Sequence, residues 1–156
     1  EAYASENDRA CHAHAGRKTA RNAVMYEAGG IAYIYLCYGI HHLFNVVTNE
    51  ADKADAVLIR AVEPVQGVDL MLRRRKMDHI SPRLTNGPGS LTKALGLTVE
   101  DNRKPLTGGR LRIADDGVRP DPGNIIASPR VGIDYAGEDA QLPWRFRIRG
   151  SSWIGK

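Results

Sequence analysis

The run Ile31-Ala-Tyr-Ile-Tyr-Leu-Cys37, broken by Tyr38-Gly39 and resumed at Leu43-Phe-Asn-Val-Val-Thr48, decides the fold class. Both halves are rich in β-branched and aromatic residues, the composition of strands. Residues 49–55 read as a polar turn, and 57–62 as a third strand that ends before Pro64. Alternation places Tyr33 and Tyr35 on one face of the first strand. Tyr38, next to Gly39, sits at a turn and can project away from the sheet.

Outward from this stretch the periodicity changes. Val68, Met71 and Leu72 have helical spacing, which predicts a helix over 67–77 with Arg73, Arg74, Arg75 and Lys76 on its outer face. Pro88 suits the first turn of a second helix, Leu91, Ala94 and Leu95 form its apolar stripe, and Gly96 suits its cap. At the start, residues 1–4 read as the end of a strand. Ser5-Glu-Asn-Asp8 has capping-box character and predicts a short helix to about His14. Residues 16–22 form a basic loop, 110–113 a short strand, and the proline- and glycine-rich 117–129 an irregular segment. In 144–149 apolar and basic residues alternate, which predicts a strand with Trp144, Phe146 and Ile148 inward and Arg145, Arg147 and Arg149 outward. Strands and helices do not alternate regularly, so the expectation is α+β: a single compact domain over 1–156, with a mixed or antiparallel curved sheet and flanking helices.

The 156 residues suffice for a real core, and the formal charge is +4. Basic residues cluster at 17–21, 73–76 and 145–149, as either solvated faces or contacts to a polyanion. The longest apolar stretch, 31–45, is interrupted by Gly39 and His41-His42 and is too short to span a bilayer. Cys11 and Cys37 lack metal spacing, and the default is a reduced, cytosolic setting. Cys11-His12-x-His14 and His41-His42 are poorly spaced for zinc, so no metal is expected. The chain opens on Glu-Ala-Tyr without an initiator Met and reads as trimmed.

Aromatics are only 6% of the chain, which makes Tyr33-x-Tyr35-x-x-Tyr38 unusual. Such tyrosines either pack a core with satisfied hydroxyls or stack on an extruded base, with the turn-borne ring as a wedge. Glu1, Glu63, Asp115 and Asp116 are candidate general bases, and spacing alone selects none of them.

A collinear series is more specific. Glu1-Ala-Tyr3, Asp8-x-x-Cys-His12, Gly16-Arg17-x-Thr19-x-Arg21-Asn22 and Tyr33-Ile-Tyr35-Leu-Cys-Tyr38-Gly39 are followed by Asn45 and Leu58-Ile-Arg60-Ala-Val-Glu63-Pro64. Asn86-Gly87-Pro88, Arg130-Val-Gly-Ile133, Ala136-Gly-Glu138, Pro143-Trp-Arg-Phe146 and Arg149-Gly-Ser-x-Trp153 complete it. This series resembles the 3-methyladenine (alkyladenine) DNA glycosylase family almost end to end, although that family carries further strands ahead of the Glu-Ala-Tyr motif.

The resemblance implies a monofunctional glycosylase that flips damaged purines out of duplex DNA and hydrolyses the N-glycosidic bond. It implies Glu1 as general base, with Arg60 helping to position the water. Tyr3, His12 and Tyr35 would enclose the flipped base, Asn45 would crowd a guanine 2-amino group, and Tyr38 would intercalate. Arg17, Lys18, Thr19 and Arg21 would meet the DNA backbone. No cofactor is implied, none of the pocket blocks supplies a lysine for strand nicking, and a monomer is expected. The setting would be the bacterial cytoplasm, at the nucleoid, or a eukaryotic nucleus. The rival is a non-catalytic nucleic-acid-binding module on the same fold. Glu1, Arg60, Tyr35 and Asn45 together argue against it, because a binding module has no need of a carboxylate facing a water.

Overall fold

The computed structural model describes residues 1–5 and 7–154. Strand β2 (Ala32–Cys37) pairs antiparallel with β3 (His41–Val47), which sets Tyr33 opposite Asn45 and Tyr35 opposite Leu43. Strand β4 (Ala56–Leu58) pairs with the other side of β3, and β1 (Ala2–Tyr3) pairs with β4. The order is therefore β1-β4-β3-β2, antiparallel at every pairing. A separate ribbon pairs β5 (Ile125–Ser128) with β6 (Arg145–Ile148), and Trp144 accepts a hydrogen bond from Ala2 N–H, joining the ribbon to β1. Among the described residues no helix is long and apolar enough to cross a membrane.

Alternation gives the larger sheet two working faces. Ala32, Ile34 and Phe44 point to one side, against Leu91 of helix α2 (Pro88–Leu95) and against Leu97 and Leu106. Burying each such leucine contributes roughly 1.5–3 kcal/mol. Helix α2 begins with Pro88 in its first turn and ends at Gly96, whose φ of 69° is the left-handed conformation that glycine tolerates. The Thr92 hydroxyl donates to the His42 carbonyl, fixing the helix to β3. On the opposite face Tyr33, Val47 and Ala56 pack against Cys11, Ala13, Val24 and Met25. The register lines up Glu1, Leu58, Asn45 and Tyr33 in one row across four strands on that second face. Tyr33, Asn45 and Leu58 of this row form the floor of the site.

Several local expectations need correction. The predicted helix over 5–14 is a chain of turns that ends in a 3-10 turn at His14–Gly16, while Glu6, part of its predicted cap, lies outside the described residues. The Asp8 carboxylate accepts from Ala4 N–H and Ala10 N–H, and such local side-chain bonds compete with a helix. The third strand ends at Leu58, short of the predicted 57–62, and Ile59 N–H donates to the Phe44 carbonyl of β3 just past its end. Residues 110–113 contribute an isolated bridge between Thr107 and Arg112, with Ile113 N–H on the Leu106 carbonyl, and no strand. The segment 117–129, read as irregular, contains β5.

Strand β6 shows its expected alternation with the phase reversed. Arg145 is 9% exposed, whereas Phe146 is 57% and Ile148 50% exposed. Alternation separates two faces but does not say which one meets the body of the protein. Here Phe146 and Ile148 lie opposite Ala127 and Ile125 on the outer surface of the ribbon. Helix α1 (Val68–Arg75) falls within its predicted range, but its arginines are not simply solvated. Arg74 donates to the Ala94 carbonyl and Arg75 to the Arg83 carbonyl.

Candidate active site

The sheet face that carries the Glu1-to-Tyr33 row opens into a cavity of about 500 Å³. Tyr3, His12, Tyr35, Tyr38, Asn45 and Arg60 all line it. Residues that are distant in sequence meet here because of register. Tyr3 lies opposite Ala56, Asn45 lies between Tyr33 and Leu58, and Arg60 follows Leu58 by two positions and so faces the same way. The far wall is the 133–140 segment, whose Ile133, Ala136 and Ala140 pack with Ala10 and Tyr3.

Glu1 itself does not line this cavity; it lies behind Tyr3, Arg60 and Val131 and borders a separate hollow shared with Arg60 and Arg145. Its side chain has no exposed surface, and its backbone exchanges two hydrogen bonds with Leu58. One carboxylate oxygen accepts from Val131 N–H at 2.9 Å. The other accepts from the Tyr3 hydroxyl at 3.0 Å and from Arg60 Nη1 at 3.0 Å. A carboxylate offers about four acceptor positions. Three donors, Val131 N–H, the Tyr3 hydroxyl and Arg60, come from residues that line the cavity. Burial, and then the neighbouring carboxylate, push the Tyr3 phenol far above its ordinary pKa, so it stays a donor to Glu1.

The aromatic walls are held in place as firmly. His12 Nδ1 lies 2.7 Å from the Tyr33 hydroxyl, and the His12 ring meets Tyr35 edge-on at 4.7 Å. Burial, then Arg21 and Arg17, lower the pKa of His12. The imidazole is therefore neutral near pH 7. The Asn45 amide nitrogen donates to the Tyr33 carbonyl at 3.1 Å and the Leu43 carbonyl at 3.4 Å, which fixes its rotamer at the cavity floor.

Tyr38 occupies the tip of the β2–β3 hairpin. The turn is closed by Ile40 N–H on the Cys37 carbonyl, and φ is positive at both central residues, 51° at Tyr38 and 73° at Gly39. That is the type I′ pattern, which favours Asn, Asp or Gly over tyrosine. The ring is 92% exposed at the cavity rim.

A second hollow of about 270 Å³ adjoins the first and is lined by Arg17, Thr19 and Arg21 together with Arg9 and His14. Arg21 lines both cavities and lies over the Tyr35 ring at 4.8 Å. Lys18 lies over the Tyr26 ring, away from both hollows. Of the other candidate bases, Glu63 and Asp116 are exposed and Asp115 pairs with Arg119, and none lines the cavity. Cys11 and Cys37 are free, with the buried Cys11 thiol pushed up to about 11. Among the described residues no three His, Cys, Asp or Glu side chains are gathered to hold a metal.

The sequence pattern points to no role for Val131 N–H, for Tyr135, which also lines the cavity, or for the buried ion pair between Asp8 and Arg130. A main-chain donor has no side-chain signature, so no residue pattern could have found the first. The 130–133 block, quoted in the resemblance, was the available pointer to the last.

Residues 1–152 match the family described as methylpurine-DNA glycosylase (MPG). A protein of Chlamydia felis named "Putative 3-methyladenine DNA glycosylase" is 51% identical over 150 residues, covering 95% of this chain and 75% of that protein. Proteins with the same name in Bacillus licheniformis and Bacillus cereus are 45% and 41% identical, each covering all of this chain and 77% and 80% of their own lengths. By the family match and by these identities, this chain belongs to the methylpurine-DNA glycosylase family.

Proposed function

We propose that this chain is a monofunctional DNA glycosylase that hydrolyses damaged purines from double-stranded DNA, acting as a monomer without a cofactor. One observation carries the reading: a buried carboxylate is held by three donors, Tyr3, Arg60 and Val131 N–H, that line an aromatic cavity large enough for a purine.

A target base must leave the stack, which costs a few kcal/mol and least for a damaged, weakly paired base. Tyr38 fills the gap it leaves. The base enters between Tyr3 on one side and His12 with Tyr35 on the other. An alkylated, cationic purine gains from electron-rich rings. As the C1′–N bond breaks, its electron pair goes to the base and positive charge grows on the sugar. The Glu1 carboxylate stabilises that charge, and water adds to C1′ and gives its proton to Glu1. A cationic base leaves neutral and needs no acid. The backbone flanking the flipped nucleotide runs over Arg17, Thr19 and Arg21, with Lys18 beside them.

The test is incubation with a duplex that carries one hypoxanthine or ethenoadenine, with and without alkali afterwards. Strand cleavage at the lesion only after alkali is the expected result. Cleavage without alkali would make the enzyme a lyase, and binding without cleavage would make the chain a recognition module.

A further inference from the structure

Behind Tyr3 lies an ion pair that the reaction does not use. The side chains of Asp8 and Arg130 have no exposed surface. Arg130 Nη1 donates to Asp8 Oδ2 at 2.5 Å and to the Ala2 carbonyl at 2.9 Å. Its Nη2 donates to Asp8 Oδ1 at 2.8 Å and to the Asp139 carbonyl at 3.1 Å. The guanidinium lies 4.8 Å from the Tyr3 ring centroid and 5.1 Å from that of Trp144. Asp8 in turn accepts from Ala4 N–H and Ala10 N–H. Arg130 is also the residue before Val131, whose N–H holds Glu1.

Each of these contacts ends on a segment that builds the site. Ala2 and Ala4 flank Tyr3 and follow Glu1. Ala10 lies two residues before His12, and Asp139 belongs to the segment packed on Tyr3. As a source of stability the arrangement is a poor choice. A buried ion pair often contributes no more than well-packed apolar residues of the same volume, and Arg130 Nε is buried without a hydrogen-bond partner among the described residues. What the pair supplies is direction. A planar fork with several fixed donors can hold a ring, two carbonyls and a carboxylate in one geometry, which a point charge cannot.

We propose that Arg130, locked by Asp8, is a positioning residue for the glycosylase reaction: its guanidinium backs the Tyr3 ring and anchors the turn that aims Val131 N–H at Glu1. It acts through Tyr3 and Val131 and touches neither base nor water. The proposal rests on the glycosylase reading above. Misplacing a reacting group by about 1 Å can cost about 10²-fold in rate. Lesion affinity rests mainly on stacking against His12 and Tyr35 and on phosphate contacts, which Arg130 does not make, so a shifted Tyr3 ring costs more in rate than in affinity.

The experiment uses the full chain and a duplex with one hypoxanthine. Single-turnover excision rate, lesion affinity by anisotropy and melting temperature are measured for the parent, Arg130→Met, Arg130→Lys and Asp8→Asn, at a temperature where each variant is folded. Arg130→Met and Asp8→Asn should lose about 10²-fold in rate, while affinity stays within about threefold of the parent. Arg130→Lys should recover part of the rate, because it keeps the charge and loses the fork. If Arg130→Met does not fold, Asp8→Asn and Arg130→Lys decide. A parent-like rate in the folded variants overturns the positioning role alone, as does a rate that falls only in step with affinity and folded fraction. A parent that excises neither hypoxanthine nor an alkylated, cationic purine overturns the glycosylase reading and this role with it.

Discussion

Replacing Tyr38 by glycine separates a wedge from a core residue. The ring is 92% exposed, so its removal forfeits almost no buried surface. Tyr38 also holds a φ of 51°, and a non-glycine residue in the left-handed region costs roughly 1–2 kcal/mol. Glycine removes that strain and returns about 0.5–1 kcal/mol through its freer unfolded chain. The difference runs from about zero to 1.5 kcal/mol in favour of the variant. For a chain of this size 1 kcal/mol shifts the melting temperature by about 2–4 °C, so Tyr38→Gly should melt no lower than the parent. A core tyrosine would behave oppositely, with large aromatic truncations costing about 3–5 kcal/mol. Function should move the other way from stability. With no ring to fill the vacated stack, the flipped state reverts, and 2-aminopurine beside the lesion should lose the fluorescence gain seen with the parent. Melting and fluorescence on the same samples give the answer. A melting temperature many degrees lower, with unchanged flipping, would refute the wedge and the strain argument together.

The other expectations are narrower. Glu1→Gln should lower the single-turnover excision rate by about 10²–10⁴-fold while lesion binding persists; activity within about tenfold of the parent would mean that another group is the base. Asn45→Ser should raise excision of undamaged guanine, since a smaller side chain leaves room for the 2-amino group, and guanine release that stays at background counts against that role. Reversing the charge of Arg17 and Arg21 should flatten the salt dependence of binding, by about 0.9 in log–log slope for each phosphate no longer neutralised, whereas Arg73→Glu should leave the slope unchanged; the reverse pattern would move the backbone contacts to α1. His12 has a lowered pKa in the folded state, so the unfolded chain binds the proton more readily. Stability should therefore be full above the ordinary histidine value of about 6.5 and fall as the pH drops below it. His12→Gln should shallow that decline, and an identical pH dependence of melting would exclude His12 as its source.

Sequence pattern reached some of this structure and missed the rest for identifiable reasons. The β2 and β3 runs and helix α2 were legible because local propensity, apolar period and end signals agree there. Pro88 and Gly96 fall where the helix begins and ends. The face of β6 was misread because one buried arginine, Arg145, reverses which side of the ribbon is inner, and that is decided by long-range packing. Strand β5 was hidden by the prolines and glycines around it. The absent helix over 5–14 follows from Asp8, whose partner Arg130 is 122 residues away. In the site, the candidate side chains were named through the family resemblance, and one cavity gathers Tyr3, His12, Tyr35, Tyr38, Asn45 and Arg60 while Glu1 lies behind it. The groups that aim them were not, since Val131 acts through its main chain and Arg130 through neighbours.

The row from Glu1 through Leu58 and Asn45 to Tyr33 ties chemical competence to strand alignment. Slipping β1, β3 or β4 by one residue would carry Glu1, Asn45 or Leu58 to the side of the sheet covered by α2, because strand side chains alternate. A misaligned molecule would thus be catalytically silent, with no dimmed intermediate form between the two. In any refolded or partly damaged preparation, the amplitude of the first turnover would count the correctly aligned molecules, and its rate constant would not vary with their number.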